Sequence, residues 1–356
     1  MTDMLDNAGD VRDGDGIDEH ALRSYLQDTI GGFEGPMQLR QFAGGASNLT
    51  YQLDIGDRRL ILRRPPSGTK PKSGHDMGRE YKVLTRLQGH FDYAPAPVLF
   101  CEDPAVIGAE FYLMDKLDGI IIRRELPKGM TLDADGAKAL CENLIAVLAE
   151  LHSVDFDAAG LGDLGRPAGY VGRQVEGWNK RYAKARTPDV PEHPTAMAWL
   201  ADNQPPETDQ AGIIHNDYKL DNVVLSPEAP HPIIGVLDWE MTTLGDPLMD
   251  LGSVLAYWVE ADDPPYMQLA RMMPTHLPGM FTRDEVVAHY AALTGRNVDH
   301  FDFYYVFGLF RLAVIAQQIY YRYYHGQTSN KRFAAFGQMV GLLVQRTDEI
   351  IAHSDL

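Results

Sequence analysis

The chain has 356 residues, 45% hydrophobic and 23% charged, with a formal net charge of −18. That length exceeds one ordinary core, and the composition is that of a soluble globular protein, not a disordered one. The acidic balance excludes nucleic acid and an anionic membrane surface as general partners, because both demand basic surfaces.

Residues 1–16 are polar and Gly/Asp-rich, and composition predicts a disordered acidic tail there. Its Asp-Gly-Asp-Gly run is not a calcium loop, since Ile17 stands where a ligand is needed and the glycine is misplaced. There is no apolar signal core, so a cytoplasmic location is expected. Apolar residues at helical spacing predict a helix over 18–30. Three strand-like runs follow at 37–42, 49–55 and 59–63, the last two joined by a Gly56-Asp57 hairpin signal and the third ended by Pro65-Pro66. A helix over 77–88 and strands near 98–101 and 110–114 complete a mostly β first third. Beyond Leu117 helical patterns dominate, at 133–152, 170–185, 194–203, 247–258, 282–294, 299–324 and 331–353. Short strands interrupt them at 212–215, 222–225 and 233–237. Arg311, Gln317, Gln318 and Arg322 break the apolar stretch 301–324, which is therefore a core helix and not a membrane span. Cys101 and Cys141 are too few for a disulfide framework and read as small buried residues. The plan is α+β and bilobal, with a mostly β first lobe over 17–117 and a helical second lobe over 118–356.

The strongest chemical signal is HNDYKLDN at 215–222, lying between two short apolar strands, with IIGVLDWE at 233–240 delivering a second aspartate, Asp238. Phosphoryl transfer needs a carboxylate beside the acceptor hydroxyl and oxygen ligands for the Mg²⁺ on a nucleoside triphosphate. Asp217 suits the first task as catalytic base, and Asn222 and Asp238 suit the second. A loop whose Asp and Asn merely satisfy turn backbone is the bland alternative. His215 is expected to brace the loop by hydrogen bonding, and Asp246 and Asp250, in GDPLMD, to brace it further and cap the helix from Pro247. No GxxxxGK[ST] loop and no Ala-Pro-Glu activation-segment end occurs, which sets aside a Walker-type nucleotide site and protein kinase activity.

HNDYKLDN and VLDWEMTTLGDP resemble the catalytic-loop and metal-binding motifs of the aminoglycoside phosphotransferase and choline kinase-like superfamily. More narrowly, FAGGASNLTYQL, LILRRPPSG and HDMGREYKVLTRL resemble the branch whose kinase-like domain can precede an acyl-CoA dehydrogenase. The similarity runs from about Asp18 to Ile350. It implies a protein-kinase-like fold, ATP and Mg²⁺ as cofactors, and a small-molecule hydroxyl acceptor. Hydroxyacyl-CoA or a hydroxy acid leads, with an aminoglycoside or amino alcohol behind. Dehydrogenase chemistry is not expected, because no flavin domain is read in the chain. A catalytically weak nucleotide-binding regulatory module is the rival from another class.

By the same resemblance the AGGASN turn, with Gly44, Gly45, Ala46, Ser47 and Asn48, covers the ATP phosphates. Arg63 stands where kinases place a phosphate-gripping lysine, with Glu80 on the next helix as its ion-pair partner. Arginine there departs from the commoner pattern and leaves Arg63 or Arg64 as the gripping residue. Seven Lys/Arg against one acid in 58–79 either receive phosphates or form a solvated face. Met114, Asp115, Lys116 and Leu117 resemble the adenine-facing hinge. On the acceptor side, Trp239 either walls the pocket or packs. Arg311, Gln318 and Arg322 follow helical spacing on an aromatic-rich helix, where either arginine could equally be a structural ion-pair partner.

Overall fold

The structure is a computed structural model that describes residues 4–31, 35–42, 48–66, 76–328 and 330–356. It divides into two compact units, Met1–Ile121 with Val223–Met241, and Ile122–Asn222 with Thr242–Leu356.

The first unit is built on a five-stranded antiparallel sheet in the order β1-β2-β3-β5-β4, with β1 Met37–Gln41, β2 Leu49–Ile55, β3 Arg58–Arg64, β4 Pro97–Cys101 and β5 Phe111–Asp115. Successive side chains of a strand point to opposite faces. One face therefore collects Tyr51, Leu53, Ile55, Leu60, Leu62, Phe111 and Leu113, which form a core with Leu22 and Leu26 of helix α1 (Glu19–Thr29). The other face carries Gln52, Arg63 and Tyr112. Helix α2 (Met77–Leu87) follows β3, and the Asp76 side chain caps it by accepting from the Arg79 amide at 2.8 Å. A hairpin of β7 (Val223–Leu225) and β8 (Ile233–Val236) belongs to this unit and joins the chain at Ile120, which pairs with Leu225.

The acidic stretch that composition predicts as disordered is ordered over residues 4–16. Gly9 and Gln41 exchange backbone hydrogen bonds at 2.9 Å. The Gln41 side chain accepts from the Arg12 amide at 2.8 Å and donates to Asp15 at 2.8 Å, and the Tyr51 hydroxyl donates to the Asp15 carbonyl at 2.7 Å. The physical reason is the open edge of β1: a sheet edge presents unpaired backbone groups, and this segment satisfies them.

The second unit is mainly helical: α3 (Ala134–Ser153), α4 (Tyr170–Ala185), α5 (Pro194–Asp202), α6 (Pro247–Leu255), α7 (Pro265–Ala270), α8 (Arg283–Thr294), α9 (Asp302–Tyr324) and α10 (Ala335–His353). A two-stranded ribbon of β6 (Gly212–Ile214) and β9 (Thr243–Gly245) precedes and follows the functional motifs. Helix α9 is the central post, buried from Phe303 to Val314. It meets α6 through glycines: a Cβ on Gly308 would lie 2.1 Å from the Gly252 carbonyl oxygen, so any larger residue would force the helices apart. Among the described residues no helix is long and apolar enough to cross a membrane.

Candidate active site

In the first unit the register pairs Arg63 with Thr50 on one side and Tyr112 on the other, which turns its side chain away from the α1 core. The cap at Asp76 sets Glu80 in the first turn of α2. Asp238 follows β8 in a left-handed backbone conformation, φ 67°, which Asp adopts more readily than most residues. The three meet: Arg63 Nη1 donates to Glu80 Oε1 at 2.5 Å and Nη2 to Asp238 Oδ1 at 3.1 Å. Glu80 is 1% exposed and Arg63 8%. Burial alone would lower the Arg63 guanidinium, but Glu80 foremost, with Tyr112 and Asp238, more than offsets it and holds the pKa well above its ordinary value. Burial raises Glu80, and Arg63 pulls it part of the way back. Arg63 therefore stays a cation beside an aspartate whose side chain is 32% exposed.

Arg64 is on the opposite face. Its guanidinium donates to the carbonyls of Ile107 and Asp15, both at 3.2 Å, and lies 5.7 Å from the centre of the Tyr51 ring. It pins the N-terminal segment to the sheet.

Gly44, Gly45, Ala46 and Ser47 lie outside the described residues. Asn48 is buried, and its Nδ2 donates to Glu240 Oε2 at 2.9 Å. The Glu240 carbonyl also accepts from Arg79 at 3.3 Å. Of the hinge residues Met114, Asp115, Lys116 and Leu117, two commit their backbone donors internally. The Asp115 amide donates to the Ala96 carbonyl at 2.8 Å and that of Lys116 to Arg59 at 3.1 Å. Leu117 packs on Gly235, where an added Cβ would come 2.0 Å from Leu117 Cδ1. Trp239 is 1% exposed, donates from Nε1 to the Val236 carbonyl at 2.8 Å, and sets its ring edge-on to Phe91 at 5.8 Å. Of its two sequence readings, that environment matches the packed side chain.

The catalytic-loop motif belongs to the second unit. Asp250, wholly buried on α6, accepts from the backbone amides of His215 at 2.6 Å and Asn216 at 2.8 Å. His152 of α3 supports it, with Nε2 at 3.1 Å from Asp250 and Nδ1 at 2.7 Å from the Tyr290 hydroxyl. Burial would raise the Asp250 carboxyl, but His152, then His215, outweigh it and leave it below the ordinary value. His215 Nδ1 accepts from the Asp217 amide at 3.2 Å, so this imidazole braces the turn. Asn216 itself has φ 64°.

Asp217 is thereby presented with its side chain 21% exposed. Its Oδ2 meets Lys219 Nζ at 2.5 Å and accepts from Asn222 Nδ2 at 2.9 Å. Asn222 also donates to the Asp217 carbonyl at 2.8 Å. Both amide hydrogens of Asn222 are thus turned toward Asp217, and its Oδ1 makes neither of these bonds. Lys219, Glu240 and His152 contact the candidate residues or their supports, and motif reading passes over them. Lys219 sits inside HNDYKLDN, two residues after the aspartate, and could have been found there. His152 could not, because only the packing of α3 on the loop brings it in.

Of the acceptor-side residues, only Arg311 approaches the loop. It is 3% exposed and donates from Nη2 to the Asn216 carbonyl at 2.6 Å. Gln318 and Arg322, further along α9, are exposed. Among the described residues no cluster of three or more His, Cys, Asp or Glu side chains could hold a metal ion. An ATP-bound Mg²⁺ needs fewer protein ligands, typically one or two carboxylates plus substrate phosphates.

The model of the phosphotransferase enzyme family matches residues 38–273. The chain belongs to that family. It is similar to mouse acyl-CoA dehydrogenase family member 10, 35% identical over 347 residues, covering 97% of this chain and 32% of the relative. It is also similar to human acyl-CoA dehydrogenase family member 11, 32% identical over 337 residues, covering 92% of this chain and 42% of that one. The chain thus spans about a third to two fifths of the length of these curated relatives. A solved Ralstonia eutropha structure, provisionally titled an aminoglycoside phosphotransferase, superposes with TM-score 0.81 at 30% identity over 96% of this chain and all of that one. Choline kinase from Cryptosporidium parvum shares the fold alone, with TM-score 0.63 at 11% identity over 94% of this chain and 96% of that one. Family and fold agree: the chain belongs to a phosphotransferase enzyme family and has a kinase-like fold, with an N-terminal antiparallel sheet and a mostly helical C-terminal part.

Proposed function

We propose that the protein transfers the γ-phosphoryl group of ATP to a hydroxyl of a small molecule, with hydroxyacyl-CoA or a related hydroxy acid as acceptor. The curated relatives, named as acyl-CoA dehydrogenase family members, favour that acceptor class over an aminoglycoside or amino alcohol. In this reading the first unit holds the nucleotide, with Arg63 on the phosphates and Asp238 as the anionic metal ligand. The second unit supplies Asp217, which orients the acceptor hydroxyl and takes its proton as the oxygen bonds to phosphorus. Lys219 and Asn222 hold that carboxylate in place, and Asn222 Oδ1 is a neutral metal ligand. The donor set of carboxylate and amide oxygens fits a hard divalent cation, and Mg²⁺ when bound neutralises charge on the phosphate oxygens.

The observation that carries the reading is the Arg63–Glu80–Asp238 cluster, in which the metal-motif aspartate meets the cation–carboxylate pair of the sheet and helix. Calorimetry of ATP with and without Mg²⁺ tests it. Asp238→Ala is expected to abolish the Mg²⁺ enhancement of ATP binding, and undiminished enhancement would refute the metal assignment.

A further inference from the structure

Two arginines share one aromatic ring close to the catalytic loop in an otherwise acidic chain. Helix α4 carries Arg173, Lys180, Arg181 and Lys184 against a single carboxylate, Glu176, whereas the whole chain has a net charge of −18. Trp178 of this helix is 6% exposed, and its Nε1 donates to Gln174 at 3.2 Å. Two guanidinium groups lie over its ring, Arg181 at 4.5 Å from the centroid and Arg311 at 5.3 Å. Arg311 also holds the carbonyl of Asn216, the residue before Asp217. Tyr257 belongs to the same patch, with Lys219 Nζ 5.5 Å from its ring centre.

The Arg181 charge is costly as it stands. Like charges brought together oppose each other, and partial desolvation first, then the Arg311 cation, pull Arg181 below its ordinary pKa. No carboxylate among the described residues forms an ion pair with Arg181. The aromatic ring that both arginines approach offsets part of the cost. A planar fork held in that way is suited to a carboxylate or phosphate.

We infer that Arg181, Trp178 and Arg311 form a subsite for an anionic group of the acceptor, placing its hydroxyl at Asp217. This rests on the reading of Asp217 as the catalytic base, and it selects carboxylate- or phosphate-bearing acceptors over the cationic aminoglycosides and amino alcohols.

The test is calorimetric titration with short hydroxycarboxylates, glycerol 3-phosphate and the uncharged amides of the same hydroxy acids, followed by transfer assays on each. The anions bind the wild type, and Arg181→Glu weakens them about tenfold or more, as expected for a lost charge-assisted contact. Arg181→Gln weakens them less, and neither variant changes the amides or ATP. A preference for the carboxylates or for glycerol 3-phosphate tells which anion is read. Anion affinity unaltered by both variants, amides bound as tightly as acids, or no binding by any probe overturns the subsite. Arg181-dependent anion binding without phosphoryl transfer upholds the subsite and sinks the base assignment. Transfer to acid and amide at equal rates does the reverse.

Discussion

The charged cluster of the first unit and the catalytic loop of the second are assembled in opposite ways. Arg63, Glu80 and Asp238 come from separate segments, with Glu80 17 residues and Asp238 175 residues from Arg63 in sequence. Asp217, Lys219 and Asn222 lie within five residues of one another and are bonded through their own turn. A loop of that kind carries its geometry in its own sequence and needs the fold only for support at the amides of His215 and Asn216. The first cluster exists only if the β3 register, the α2 cap and the β7–β8 hairpin are all in place. Substitutions in the loop should therefore cost chemistry, and substitutions in the cluster should cost binding and stability together.

The largest expected effect is on the loop. Asp217→Asn should lower kcat by about 10³-fold, within the ~10²–10⁴ range of a general base, while ATP affinity stays within about threefold. Steady-state transfer and calorimetry on the same preparation check it. Near-normal turnover would erase the distinction between the two regions.

Arg63→Ala should act on both counts. It leaves Glu80 buried without its cation, a defect that typically costs about 3–5 kcal/mol, and removes the proposed phosphate ligand. Denaturant unfolding and ATP titration should both shift. Glu80→Ala should cost less, and the double variant should fall short of the sum because the two groups act as one unit. Additivity would mean that the pair is not a unit.

A third prediction asks which region acid loosens first. His193 in the second unit is 1% exposed, neither ring nitrogen has a hydrogen-bond partner, and burial lowers its pKa from 6.5 to about 4. A base with a lowered folded pKa contributes stability that is complete above pH 6.5 and is lost as pH falls toward 4. The loss is on the order of 3 kcal/mol. Hydrogen exchange across that window should show the second unit opening before the first, and His193→Gln should flatten the difference. Equal protection in both units at every pH would contradict it.

The smallest effect separates neighbours on one strand. Arg64→Ala should cost about 1–2 kcal/mol, chiefly from the Ile107 carbonyl left without its donor, since Tyr51 still serves that of Asp15, and leave ATP affinity within about twofold. A large loss of ATP affinity would move the phosphate role from Arg63 to Arg64.

That last pair shows where sequence reading stops. Both arginines end the same apolar run, and a one-residue slip exchanges their faces. The string cannot choose between them, but pairing of Arg63 with Tyr112 does. The sheet and long helices were legible because periods of 2 and 3.6 repeat over enough residues to be seen. Helix α7, six residues long, falls below that length. Asp217, Asn222 and Asp238 stood out because the motif is local. His152 and Arg181 did not, because their relation to the loop is made by packing. The 4–16 segment misled by composition: its acidic, glycine-rich character suits disorder, yet an open strand edge offers it backbone partners.

The central claim is transfer itself, and following the labelled γ-phosphoryl group of ATP into a panel of hydroxyl acceptors tests it most directly. Phosphorylated product that requires Mg²⁺ and disappears with Asp217→Asn is the expected result. Mg²⁺-dependent ATP binding with no labelled product from any acceptor would instead mark a regulatory nucleotide-binding module and contradict the account.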